Sequence, residues 1–145
     1  MTSVTRICYR MKFHQLSLGV TACAFAGFGA ACLLAPRKML GKVDVVVASP
    51  NGMAELRAMY GGMELGFGAY FAAAALRQEA DRSALRAQTF ALAGLGLARM
   101  ASIIYDHPRS SLLKVLCAVE LLAATAGGIA LRETAIPHKR QRRAA

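Results

Sequence analysis

The stretch Glu55–Phe71 reads ELRAMYGGMELGFGAYF. Its glycines and aromatics on an apolar background are those of a membrane helix, yet it carries Glu55, Arg57 and Glu64. A charge at the centre of such a helix costs about 2.5–3.5 kcal/mol on insertion scales. The reading of the chain turns on whether these charges sit in a bilayer, and on what partners them.

Three further segments share the apolar background. Leu16–Leu34 (LSLGVTACAFAGFGAACLL) precedes this one, and Leu85–Tyr105 and Leu112–Leu131 (LLKVLCAVELLAATAGGIAL) follow it. With Leu56–Leu76 they make four segments. Each is close to the ~20 residues that cross a ~30 Å hydrocarbon layer as a helix. Only 18% of the 145 residues are charged and 56% are hydrophobic, whereas a soluble domain carries about a quarter charged residues. A soluble bundle would also show a polar face every three to four residues. The first and fourth segments show almost none. The expected fold is all-α: one domain over 1–145, an integral membrane bundle of four transmembrane helices, ending in a basic tail over 132–145.

Lysine and arginine set the expected orientation. Arg6, Arg10, Lys12, Arg77, Arg82, Arg86, Arg132, Lys139, Arg140, Arg142 and Arg143 fall on one side of the four spans. Arg37, Lys38, Lys42, Arg109 and Lys114 fall on the other. Cytoplasmic loops carry the excess of these residues. Both termini are therefore expected in the cytoplasm, with the loops Arg37–Ala54 and Asp106–Ser111 outside. Val20–Cys23 (VTAC) loosely matches a lipoprotein cleavage box, but too few apolar residues precede it for a signal peptide. An uncleaved first helix is expected, with Met11 as an alternative start.

The net charge of +10 invites a nucleic-acid reading. The basic residues sit at the ends of apolar segments and in the tail, with no aromatics interleaved to stack on bases, and charge alone is a weak footprint. No nucleic acid is expected as a partner; the bilayer is. The four cysteines, Cys8, Cys23, Cys32 and Cys117, form no CxxC pair, and His14, His107 and His138 are far apart. No metal and no cofactor is expected.

Ala24–Gly29 (AFAGFG) resembles Ala91–Gly96 (ALAGLG), and Met63–Leu65 (MEL) resembles Val119–Leu121 (VEL). The pairs hint at a duplicated two-helix hairpin, a device common in transporters. The rival explanation is chance among helices dominated by Ala, Gly and Leu. Under duplication Glu64 and Glu120 are equivalent, and Arg99 aligns with Cys32.

At 1.5 Å of rise per residue, Glu64, Arg99 and Glu120 lie roughly 15, 10 and 13 Å below the outer surface. Arg99 is expected between Glu64 and Glu120 inside the bundle, as a ligand site or charge cluster. Arg57 and Asp106 share the outer rim and are expected to pair there. Arg57, Gly61, Glu64 and Gly68 fall on one helical stripe, and Gly62 and Gly66 make a GxxxG spacing beside it. All four glycines are expected to let a neighbouring backbone approach. No catalytic residue is assigned. The bland alternative is a buried polar clasp. The functional one is a cavity that binds a ligand or relays a proton, the default for intramembrane ionisable residues.

ELRAMYGGMELGFG at Glu55–Gly68, ARMASIIYDHP at Ala98–Pro108, and Glu120 together resemble domain of unknown function 4345. This is a group of small bacterial proteins with four predicted membrane helices, distantly DoxX-like. The resemblance spans Leu16 to Leu131, with RAMYGG its most specific part. It implies a multi-pass protein of the bacterial inner membrane and assigns no activity. The family's third-helix element reads Asp-Gly-Pro; here it is Asp106-His107-Pro108, which puts a tight glycine turn in question. Some DoxX-like relatives are subunits of quinone-linked oxidoreductases, an analogy of fold alone.

Three functions stay open. The chain binds a hydrophobic or amphiphilic ligand, or a proton, at the charged cluster, which predicts a cavity opening outward beside it. It is a non-catalytic subunit of a larger membrane complex, with a membrane-protein partner or a second copy of itself, which predicts an exposed glycine-rich face. Or it is an enzyme acting on a lipid, which needs a water-accessible acid–base pair.

Overall fold

The computed structural model describes residues 12–77 and 81–134. Arg6, Arg10 and Met11, and the part of the basic tail from 135 onward, lie outside the described residues. Among those described, all regular structure is helical.

The first long helix, α1, runs Phe13–Leu34. Gln15 secures its start twice: its Oε1 accepts from the Lys12 backbone N–H at 3.0 Å, and its Nε2 donates to the Arg77 carbonyl at 3.0 Å. The second bond ties this end of α1 to the end of a later helix. Pro36 then begins the short α2, Pro36–Gly41, a place where its missing N–H costs nothing.

The expected second span, Leu56–Leu76, is not a single α-helix. Helix α3, Pro50–Leu56, is capped by Ser49, whose Oγ accepts from Gly52 N at 3.1 Å. A π-helical segment follows over Arg57–Met63 (RAMYGGM), and then α4 over Glu64–Ala75. The three join end to end. Helices α5, Arg82–Asp106, and α6, Ser111–Glu133, complete the chain. Asp81 links the turn to α5: its Oδ1 accepts from Ala84 N at 3.0 Å and its Oδ2 pairs with Arg77 Nη1 at 3.0 Å.

Helices α1, α5 and α6 are each long and apolar enough to cross a membrane. In the most apolar stretch of α5 and of α6 only 17% of residues are buried. Phe90, Leu122 and Val20 remain 75%, 70% and 61% exposed. Water-soluble monomers rarely leave apolar faces of that extent bare. The exterior is built for lipid, and the chain is a membrane protein.

The helices pack as two hairpins. The π segment and α4 lie along α1, α6 lies along α5, and α1 bridges the pairs. At mid-height Phe25 meets Phe67 and Phe71 edge-on, with ring centroids 5.9 and 5.6 Å apart. The rings are joined in the core by Leu18, Leu85 and Leu92.

Candidate functional site

Toward the α2 end of the hairpins, Arg99 of α5 meets Glu120 of α6. Its Nε donates to Oε2 at 3.0 Å and its Nη2 to Oε1 at 2.8 Å, a planar two-point clasp. The side chains are 25% and 12% exposed. Such fork-to-carboxylate bonds are short and charge-assisted. Three of the five guanidinium N–H donors remain for other partners. Beside the clasp the Cys117 thiol donates to the Gly96 carbonyl at 3.4 Å.

Glu64 departs from expectation. It is half-buried at the start of α4 and within electrostatic reach of Glu120 and Cys32. Among the described residues no hydrogen bond or ion pair joins it to Arg99, whose two-point fork is taken up by Glu120 alone. Arg57 and Asp106 are both exposed and form no ion pair with each other. The physical reason is the packing: the π segment that begins at Arg57 lies along α1, not along α5, whose last residue is Asp106. Arg57 instead lines a cavity of about 640 Å³ with Pro36, Val47, Pro50 and Met53.

The glycines divide. A methyl group on Gly68 would lie 2.9 Å from Ala26 N, and one on Gly61 would strike the Leu33 side chain, so both are true contact points with α1. Gly62 and Gly66 are exposed. Nothing lies within 4 Å of a methyl group placed on Gly66, and Gly62 meets only its own helix. The GxxxG spacing makes no helix contact among the described residues.

The two hairpins share one packing register. Gly29 of α1 sits so close to the next helix that a Cβ would lie 2.9 Å from Leu65 N and 3.0 Å from Glu64 Cβ. Gly96 of α5 sits likewise, with Leu121 Cγ at 2.8 Å and Glu120 Cβ at 3.4 Å. Leu18, Thr21, Phe25 and Gly29 are buried, as are Leu85, Gln88, Leu92 and Gly96 at the matching positions. Gly61, Gly68, Phe71 and Ala74 are buried, as are Cys117, Ala124, Gly127 and Ala130.

A second cavity, about 480 Å³, opens beside the clasp. Phe28, Leu95, Leu112, Leu113 and Leu116 form much of its wall, and Cys32 completes the α1 side. Its polar lining is Arg99, Lys42 and Tyr60. Lys42, at the end of α2, was not singled out from sequence because a loop lysine next to a membrane reads as a topology signal.

Sequence reasoning also passed over Gln88. It is fully buried, donating to Ser17 Oγ at 2.9 Å and to the Ala123 carbonyl at 3.3 Å, while its own Oε1 has no hydrogen-bond partner among the described residues. With Thr89, which packs where a Cβ on Gly127 would be, it forms a polar layer on the other side of the phenylalanines. One signal was available: a glutamine inside an apolar span.

No curated protein and no solved structure matches this chain. The domain of unknown function DUF4345 matches it over residues 13–131, from the first turn of α1 almost to the end of α6. With three helices able to cross a bilayer, the chain is a small membrane protein that belongs to the DUF4345 family.

Proposed function

We propose that the protein crosses a bacterial cytoplasmic membrane four times, with both termini in the cytoplasm, and binds a hydrophobic or amphiphilic ligand in the cavity beside Arg99 and Glu120. The fourth crossing is the joined run α3–π–α4. Its 26 residues from Pro50 to Ala75 extend about 39 Å at the α-helical rise, enough to span the hydrocarbon layer. The lysine and arginine asymmetry supports the orientation.

The cavity carries the ligand reading. Its volume of about 480 Å³ falls in the range of small-molecule sites, roughly 300–1,000 Å³. Such sites combine an apolar wall with a few convergent polar groups, as here. The test is native mass spectrometry of the protein extracted from its own membranes, beside a Leu116→Phe variant that narrows the cavity. Loss of a co-purifying small lipid-like species in the variant supports the reading. A wild-type protein that carries no such species, and gains none when incubated with total membrane lipid, refutes it.

A second reading rests on the bare face of Gly62 and Gly66. Small residues facing outward from a membrane helix admit a close partner helix, which suits a subunit of a larger complex. Gly62→Leu then releases a co-purifying protein without unfolding the chain.

A further inference from the structure

The chemistry of the lining narrows the ligand class. Around the cavity the polar groups are the Lys42 ammonium, the Arg99 guanidinium and the Tyr60 phenol. The two cations offer only hydrogen-bond donors, and the phenol can donate as well. No aspartate or glutamate is among the residues that line the space. Glu120 takes two of the five Arg99 N–H groups and neutralises that charge, while Lys42 is exposed and forms no ion pair among the described residues. Glu64 stands outside the lining. The rest of the wall is apolar, with Leu95 from α5, Leu112, Leu113 and Leu116 from α6, and Phe28 and Cys32 from α1.

We infer that the cavity receives an anionic single-chain amphiphile, its carboxylate or phosphate head between Lys42 and the free N–H groups of Arg99 and its chain along Leu95, Leu112, Leu113 and Leu116. A rim of two cationic donors and a phenol that can donate is matched by an acceptor-only head. A neutral alcohol satisfies fewer of these donors, and an ammonium head meets Lys42 with like charge. The inference rests on the proposed ligand cavity and specifies what fills it.

The experiment uses the purified full chain in phosphatidylcholine nanodiscs. Its unfolding midpoint is followed against decanoate, decyl phosphate, decanol, decylamine and inorganic phosphate, since a ligand that binds the folded state raises the midpoint once its concentration exceeds its Kd, and further with the logarithm of their ratio. Decanoate and decyl phosphate act at about tenfold lower concentration than decanol, the margin expected of charge-assisted bonds over neutral ones. Decylamine and inorganic phosphate have no comparable effect. Lys42→Gln, a change at an exposed residue, weakens both anions about fivefold and leaves decanol unchanged. Comparable action by decanol or stronger action by decylamine overturns the anionic head while leaving the cavity reading in place. An equal effect from inorganic phosphate overturns the need for a chain. No effect from any alkyl probe removes the inference together with the cavity reading. An anion effect insensitive to both Lys42→Gln and Leu116→Phe means binding elsewhere and also overturns it.

Discussion

Cys32 stands in the first hairpin where Arg99 stands in the second. Each lies one turn beyond the glycine, Gly29 or Gly96, that touches the Cβ of the neighbouring helix's glutamate. The second hairpin therefore pairs its glutamate with an arginine, while the first leaves Glu64 facing a thiol. The small side chain at 32 also leaves space, since Cys32 is part of the cavity wall that Arg99 completes from α5.

Exchanging the two residues tests that equivalence. Arg99→Cys strands the Glu120 carboxylate and lowers the unfolding midpoint. Adding Cys32→Arg supplies a guanidinium near Glu64, with the cavity as room for it. The double variant is expected to regain at least about 1 kcal/mol over Arg99→Cys, the net value of a modest charged hydrogen bond. Glu64→Gln in the same background abolishes the gain. Thermal unfolding in a nonionic detergent reads all four proteins, and a double variant no better than Arg99→Cys disproves the shared register at this position.

The clasp itself makes a sharper claim about Glu64. Removing one member of a buried ion pair costs about 3–5 kcal/mol because the other charge is left behind. With Arg99 still 25% exposed, the low end near 3 kcal/mol is expected for Arg99→Gln or Glu120→Gln. The double-mutant cycle between them yields a coupling above about 1 kcal/mol. The cycle between Arg99 and Glu64, which share no hydrogen bond and touch only through Glu120, yields a clearly smaller coupling. A strong Arg99–Glu64 coupling would mean the arginine serves both carboxylates.

Much of this was legible beforehand, for identifiable reasons. The apolar segments and their lengths follow from what a bilayer demands, so α1, α5 and α6 appear near their expected bounds. The Arg99–Glu120 clasp followed from depth, since two opposite charges at one level in an apolar medium have few other partners. The π segment was not legible. Its seven residues, RAMYGGM, read as ordinary helix by periodicity. Within it Gly61 comes so close to α1 that a Cβ placed on Gly29 would lie 2.8 Å from the Gly61 carbonyl, an approach that periodicity does not show. The Arg57–Asp106 pairing was argued from depth alone, and depth does not say which helices are neighbours: the π segment packs along α1 rather than α5. The cavity was legible only as an expectation, because a void is a property of what several helices fail to fill.

The glycines rank themselves for mutation. Adding a methyl group at Gly29 or Gly68 drives it against backbone atoms, 2.8 Å from the Gly61 carbonyl and 2.9 Å from Ala26 N. Backbone cannot step aside alone, so Gly29→Ala and Gly68→Ala cost about 2 kcal/mol or more, within the range for overpacking. At Gly96 the obstacle is the Leu121 side chain, which can change rotamer, and the cost falls to about 1 kcal/mol. Gly27, Gly66 and Gly94 face open space. There alanine is neutral or stabilises by up to about 1 kcal/mol through helix propensity. Unfolding midpoints of the six alanine variants check the order, and a destabilising Gly66→Ala would point to a partner helix on that face.

His107 offers the reverse case, a residue that glycine should replace with gain. It ends α5 in the left-handed region, at φ 47° and ψ 49°. Side chains in that region crowd the following carbonyl at a cost of roughly 1–2 kcal/mol, from which glycine is exempt. The Asp-Gly-Pro pattern that this sequence resembles has glycine at this place, and the backbone here keeps the glycine-type turn even with histidine in it. Half of the strain can return as glycine's extra freedom in the unfolded chain. His107→Gly is therefore expected to stabilise by about 0.5–1 kcal/mol, and His107→Val, branched at Cβ, to destabilise. Since His107 is exposed and is not among the residues lining the cavity beside Arg99, neither change should alter amphiphile binding. A loss of stability in His107→Gly would mean that the imidazole makes a contact worth more than the strain it carries.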